Sequence, residues 1–302
     1  MTLVRRVVTL QFQLGKGNFG DSGSDTIEVK GVRVSASLNQ SGGRAMTEAD
    51  IKVYGLPLDV MNQLTILGKP LEEGRHNTVI VSAGDEGGPL AVVFAGTIME
   101  SWVDARNAPE ITLIVNAKDG ALLALKPIVP TSFKGTVDVA TIVSYIAEVS
   151  NMSFQNSGVS VQSTSPYYPN TALHQLYELA DHYDFNAFVE TAGADANANS
   201  SKIIIWPKGT ARPGSVPTVS PATGLIGYPM HTQNGIELTT LFNPAIGFGQ
   251  SIRVESSLTP ANGLWNVFRV SHDLESEMPN GKWFTSVECS LFGSQPLAIA
   301  SK

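Results

Sequence analysis

At 302 residues the chain has the length of about two domains, and with 42% hydrophobic residues it can bury a core. Charged residues are only 16%, against a usual value of about 25%, which argues against disorder and for a surface covered by partners. Twenty Lys and Arg against 27 Asp and Glu give a net charge of −7 with no basic run, a poor basis for a phosphate clamp, and the one cysteine, Cys289, excludes an intrachain disulfide or a paired-cysteine metal site.

The opening stretch MTLVRRVVTLQFQLG has arginines but no apolar h-region, so no signal peptide is expected. The longest apolar runs, Leu90–Ala95 and Ala121–Leu125, fall far short of the roughly 20 residues that span a bilayer. The expectation is a soluble chain made in the cytosol, without a membrane anchor. In the first part, Val8, Leu10, Phe12 and Leu14 alternate with Thr9, Gln11 and Gln13, the period of a half-buried strand. Val32, Val34, Ala36 and Leu38 repeat that pattern against Arg33, Ser35 and Ser37, and Ile51 and Val53 follow. A short helix is predicted over Leu58–Leu64, before an LGKP turn. NTVIVSA, LAVVFAGTIMESW and ITLIVNAKDG then read as three strands, so residues 1–125 predict a β-barrel or sandwich with one small helix.

Residues 126–215 change character. Asp138 is placed to cap a helix with Ile142, Tyr145, Ile146 and Val149 at helical spacing. Pro169–Asn170 opens a second, with Leu173, Leu176, Tyr177 and Ala180 on one face. FNAFVE and KIIIWPKG read as strands joined by AGADANANSS, and the proline-rich GTARPGSVPTVSPATG reads as a linker. Strands return over residues 216–302: GIELTTLF, QSIRVESS, LWNVFRVSHDL and WFTSVECSL. In the last, Trp283, Thr285, Val287, Cys289 and Leu291 share one face. The strand and loop lengths of TVIVSAGDEGGPLAVVFAG…ITLIV match those of SIRVESSLTPANGLWNVFRV…FTSVE. Related halves and an ordinary meander both fit that match.

No motif supports chemistry. His174 and His182 lie two helical turns apart, about 12 Å along the axis and too far for one metal ion, and His76 and His231 stand alone. His272–Asp273 falls at a strand end without the GxSxG elbow of a hydrolase, and a strand-to-turn hydrogen bond is expected there. Gly15, Gly17 and Gly20 spell GxGxxG but lead into a loop and strand, not a helix, so a bound anion would lack a helix N-terminus. Glu100, Asp104, Glu110 and Asp59 form no recognisable carboxylate pair. Trp206, Trp265 and Trp283 are not interleaved with cations, which favours core or subunit-contact roles over nucleotide stacking. The expectation is a non-enzyme with no cofactor and no metal.

The segment TLFNP (Thr240, Leu241, Phe242, Asn243, Pro244), Gly249 shortly after it, VSHDL (Val270 to Leu274) and the closing KWFTSVE resemble the C-terminal barrel of baseplate hub proteins from contractile-tailed bacteriophages. IKVYGLPLDVMNQLT is similar to the strand-to-helix segment of such proteins, and NTALHQLYELADHYDFNAFV with KIIIWPKG to their middle domain. The resemblance implies a mainly β fold, with two tail-tube-like β-barrels (1–125 and 216–302) flanking a smaller α+β middle domain (126–215). It implies a homotrimer whose six barrels match a hexameric tube. The implied partners are the tail tube or tube-initiator proteins, a trimeric spike and other baseplate proteins. DNA would pass through the channel without being bound specifically. The implied location is the virion tail baseplate, assembled in the host bacterial cytoplasm. Structural or interface roles are expected for Phe242, Asn243, Pro244, Gly249, Trp265, His272 and Trp283. Some hubs carry lytic domains, and no motif for one is present. The alternative is a β-rich cell-wall carbohydrate-binding module with the middle segment as its reader.

Overall fold

A computed structural model describes residues 4–20, 23–42, 45–66, 76–125, 127–191 and 201–291. Apolar–polar alternation is realised as strands through the first part: β1 (Arg6–Gln13), β2 (Thr26–Val29), β3 (Val34–Ser41) and β4 (Glu48–Tyr54), then helix α1 (Leu58–Leu64), β5 (Thr78–Asp85), β6 (Ala91–Asp104) and β7 (Thr112–Lys118). Val8, Leu10 and Phe12 point into the core, as do Val34, Ala36 and Leu38. The expected LGKP turn lies outside the described residues, and so does nearly all of AGADANANSS.

The middle part holds α2 (Ala121–Leu125), β8 (Thr131–Ser132), β9 (Thr136–Asp138), α3 (Val139–Val149), β10 (Ser153–Asn156), β11 (Gln162–Thr164), β12 (Tyr167–Tyr168), α4 (Ala172–His182), β13 (Phe185–Thr191) and β14 (Ser201–Pro207). Asp138 caps α3 by accepting the Ala140 N–H at 2.8 Å, which satisfies a donor that the first turn leaves orphaned. Helix α4 is capped by Thr171, whose Oγ1 accepts the His174 N–H. Asn170, expected to open that helix, instead sits at φ +97° outside it. Both helices bury one apolar face against the small sheet β10–β14–β13.

The last part contains β15 (Thr218–Val219), β16 (Leu225–Thr232), β17 (Gly235–Leu241), β18 (Ser251–Val254), β19 (Gly263–Ser276) and β20 (Trp283–Leu291). The presumed linker is ordered: β15 pairs with β18, Pro221–Thr223 form a 3-10 turn capped by Ser220, and Arg212 is buried. The buried face of β20 stops at Cys289; Leu291, expected to continue it, is 58% exposed at the strand's end.

One large sheet runs through both β parts in the order β16–β17–β20–β19–β3–β4–β7–β6–β5–β1–β2. Within it a strand order occurs twice. The β3–β4 hairpin is followed by the β5–β6–β7 meander, with β7 returning to β4; the β16–β17 hairpin is followed by β18–β19–β20, with β20 returning to β17. The two 14-residue strands, β6 and β19, also carry matching bulges opposite the strand that follows, between Ile98 and Glu100 and between Val267 and Arg269. An ordinary meander would not repeat the hairpin, the return pairing and the bulge, so the halves are related. They are joined where β19 pairs with β3, from Arg269↔Ser41 to Ser276↔Val34. Among the described residues there are three large apolar clusters and a small fourth, Phe188, Ile204, Trp206 and Phe248. The first takes in Leu274 and Trp283 from the far end of the chain, the second lies under α3 and α4, and the third lies between β17, β18, β19 and β20. No helix among the described residues is long and apolar enough to cross a membrane.

Candidate functional site

Residues 242–250, between β17 and β18, contact every part of the fold. Pro244 fixes its own φ and holds Asn243 extended. Asn243 Oδ1 accepts the Ala245 N–H and its carbonyl accepts the Ile246 N–H, while its own N–H donates to Thr285 Oγ1 at 3.0 Å. The Phe242 ring meets the His272 and Trp283 rings edge-on, at centroid distances of 5.5 and 5.3 Å. Phe242 is half-buried there against the first core. Ile246 enters the third core. Phe248 packs on Phe188 and Trp206 of the middle part, and its N–H donates to Gln40 Oε1 of β3 at 2.9 Å. Gly249 donates its N–H to the Val267 carbonyl and accepts the Arg212 N–H.

The remaining expected residues surround this segment. Trp265 is buried in the third core and donates Nε1–H to the Ala261 carbonyl at 2.8 Å. Trp283 is buried in the first core, with the Arg6 guanidinium 5.7 Å from its ring centroid. His272 does not end a strand; it lies inside β19, opposite Thr285. Its hydrogen bond is therefore cross-strand, Nδ1 to Thr285 Oγ1 at 2.9 Å. The same hydroxyl also accepts the Asn243 N–H, so it joins the 242–250 segment to the imidazole. Burial pushes the imidazole pKa down to about 4, against a smaller upward pull from Asp273, so the ring is neutral at pH 7.

The Thr285–His272 pair does not extend to a triad. Asp273 is on the opposite sheet face, as successive strand residues must be, and accepts from Ser37 Oγ at 2.9 Å. Thr285 is fully buried. His174 forms an exposed i,i+4 pair with Glu178 at 3.6 Å, and His182 stacks on Tyr183. Among the described residues no group of three or more His, Cys, Asp or Glu side chains is placed to hold a metal ion. The Gly15–Gly20 stretch leads to β2, and the Gly15 N–H is held by Asn77 Oδ1.

A cleft of about 290 Å³ borders the junction, with Gln40, Glu190, Arg212, Pro244, Gln250 and His272 in its walls. Arg212 pairs with Glu190 at 2.7 Å and lies 5.7 Å from the Phe188 ring centroid. The sequence reading missed Gln40, Phe188, Glu190, Arg212 and Phe248. Two signals pointed to the junction: Phe248 set between two glycines, and Arg212 as a cation isolated in a proline-rich stretch.

The sheet face opposite the cores is polar and dented by two shallow clefts, about 430 and 730 Å³, that straddle the β19–β3 joint towards its two ends. Lys118–Glu48 (2.5 Å) and Arg269–Glu288 (3.0 Å) bridge neighbouring strands in the larger one. The other cleft has three carboxylates, Asp50, Asp273 and Glu275, with Lys52 and Lys282.

A duplicated β scaffold keyed together by an aromatic and hydrogen-bonded junction, with a broad polar sheet face, defines a structural, assembly-forming class of protein. The chain belongs to the baseplate hub gp41 family, whose model matches residues 7–289. It is a structural baseplate hub, a component of the bacteriophage tail. No curated protein matches it. Solved structures share its fold at low identity. The 43 kDa tail protein of prophage MuSo2 from Shewanella oneidensis is 10% identical, with a TM-score of 0.59 over 94% of this chain and 98% of that one. A tail protein from Neisseria meningitidis MC58 is 9% identical, with a TM-score of 0.56 over 93% and 96%. The Escherichia coli c3393 protein is 11% identical, with a TM-score of 0.55 over 86% and 73%. It is a type VI secretion component described as structurally similar to the T4 tail proteins gp27 and gp5. The family and these relatives lend no support to the carbohydrate-binding alternative.

Proposed function

We propose that this hub joins the tail tube to the central spike and that its polar sheet face lines the channel through which DNA leaves. The observation that carries this reading is the repeated strand order: one chain supplies two related β units side by side. Three copies would then present six units, the number a hexameric tube requires at its end. In this reading residues 1–125 and 216–302 are the tube-like barrels, and 126–215 is a middle domain. The likeness of the E. coli relative to gp27 and gp5 supports partners at both ends, tube proteins on one side and a trimeric spike on the other. Other baseplate proteins complete the surroundings, and assembly takes place in the host cytoplasm.

The role is structural, without catalysis and without a metal. Phe242, Asn243, Pro244, Gly249, Trp265, His272 and Trp283 serve to hold the two halves and the middle domain in one rigid unit. The polar face suits a channel because its cations are paired or outnumbered, so phosphates meet no cationic surface. Cryo-electron microscopy of the assembled baseplate tests the reading. The expected result is three copies around the axis with β3, β4, β19 and β20 facing the lumen. A monomer, or a lumen formed by the middle domain, would refute it.

A further inference from the structure

The repeat makes β19 the counterpart of β6 and β20 that of β7: Ser290 lies opposite Asn266 as Lys118 lies opposite Thr97, one residue before the bulged stretch in each case. In the first half the chain leaving β7 turns at Gly120, whose φ is +69°, and returns as α2 against β6, with Ala121 buried. At the corresponding end of the second half, the third core opens into an apolar pocket of about 310 Å³. Trp265, Ile236 and Ala261 reach it from the core. Leu258 and Leu291, 44% and 58% exposed, stand on its rim. Leu291 is paired with Trp265 across β20 and β19, so both side chains lie on the core face. The indole N–H is already bonded to the Ala261 carbonyl, which leaves the apolar part of the ring to line the pocket. None of the described residues around it is Asp, Glu, Lys or Arg.

Residues 292–302 follow β20 and lie outside the described residues. They read FGSQPLAIASK. Gly293 stands two positions past the end of β20, as Gly120 stands two past the end of β7. Gly293, Ser294 and Pro296 are turn-forming residue types. Leu297 and Ile299 then alternate with alanines, and Lys302 is the segment's one charge. We propose that this segment turns back after β20 and places Leu297 and Ile299 in the pocket beside Trp265, covering the start of β19 as α2 covers β6.

Reach and chemistry favour this occupant. Leu297 is six positions beyond Leu291, a span of about 20 Å when extended, which is ample for a turn and a return to a pocket that Leu291 itself borders. A short tether holds its end at an effective concentration on the order of millimolar, ahead of any free partner. Apolar side chains need no counter-charge, and the pocket offers none. The proposal goes beyond the hub reading and does not depend on the number of copies.

Cysteine pairs test it, Cys289 being fully buried and out of reach. Leu258→Cys/Leu297→Cys, mildly oxidised, should form a disulfide within one chain. It is read as monomer under non-reducing electrophoresis and as a linked peptide by mass spectrometry after digestion. Leu264→Cys/Leu297→Cys is the control, because Leu264 is 45% exposed and leaves β19 on the face opposite Trp265. The first pair should close faster by on the order of tenfold or more. Equal rates would show that the segment does not settle in the pocket. A disulfide between chains, seen as covalent dimer, would put the segment in a neighbour's pocket and overturn the proposal as stated. Should the cysteine variants fail to fold, Leu297→Asp/Ile299→Asp gives a second reading. It should melt lower than the native chain and bind more of an apolar dye; unchanged melting and dye binding would sink the idea.

Discussion

Gly249 lies directly against the indole of Trp206: its φ is +78°, and a Cβ at this position would stand 2.7 Å from Cζ2 of the ring. Both the backbone conformation and the space require glycine. Gly249→Ala is expected to cost about 1–2 kcal/mol for the left-handed conformation alone, and more for displacing Trp206. Because Trp206 packs on Phe248, the loss should reach the contact between the middle part and the second half. Urea unfolding followed by tryptophan emission checks this. A midpoint equal to that of the native chain would show that the junction yields freely.

The strands were legible because alternation is local. Val8, Leu10 and Phe12, or Trp283, Thr285 and Val287, announce a half-buried strand without reference to anything distant. The α1 bounds and the Asp138 cap were legible for the same reason. What stayed hidden is long-range. Gln40 meets Phe248 across 208 positions, and the β19–β3 ladder joins residues more than 200 apart. No periodicity encodes those pairings. His272 shows the difference within one residue: its strand was readable, but its partner depended on the register with β20, which shifts at the bulge after Val267.

Phe242→Ala removes an edge-on ring from between His272 and Trp283. The ring is half-buried, so the expected loss is about 2–3 kcal/mol, below the roughly 3–5 of a fully enclosed phenylalanine. Phe242→Leu should recover part of it by filling the space without the aromatic geometry. Thermal melting of the three proteins gives the order native, Leu, Ala; equal melting of Ala and native would remove Phe242 from the junction.

His272 makes the fold acid-sensitive. Its pKa in the folded chain is about 4, below the usual value near 6.5, so the unfolded chain binds the proton more readily between those values. Stability from this group is full above about pH 6.5 and declines as pH falls toward 4, by up to roughly 3 kcal/mol. Asp273 pulls the other way from the opposite face, which limits the shift. His272→Gln keeps a hydrogen-bonding partner for Thr285 and removes the titration. Between pH 7 and 4.5 the variant should lose less stability than the native chain; parallel losses would mean that other groups carry the acid response.

Arg212 is nearly enclosed, while its partner Glu190 keeps about a third of its side chain exposed. Arg212→Ala therefore leaves a carboxylate that water can still reach, and the expected cost is about 1–3 kcal/mol, less than the roughly 3–5 for breaking a fully buried pair. Glu190→Gln should cost more in proportion, because it leaves the enclosed guanidinium without its counter-charge. A double-mutant cycle on urea midpoints measures the coupling. Additive losses would show that the Arg212 side chain acts through its packing on Phe188 alone.

The polar sheet face carries the prediction closest to function. Asp50, Asp273 and Glu275 line one cleft with Lys52 and Lys282, and the cations of the neighbouring cleft are tied to Glu48 and Glu288. Charges act over about 8 Å at physiological salt, so the residues on this face, not the net charge of −7, set what passing DNA would meet. Replacing Asp50, Asp273 and Glu275 together by lysine removes three negative charges and adds three positive ones per chain. Among the described residues Asp50, Asp273 and Glu275 hold Asn116, Ser37, Ser35 and the Lys282 N–H, so the fold should survive and particles should assemble. Phosphate contacts through lysine are strongly salt-dependent. The expected outcome is intact particles that release DNA more slowly in vitro, with the delay shrinking as salt is raised from 50 to about 200 mM. Assembled particles with unchanged release at low salt would show that this face does not line the path of the DNA.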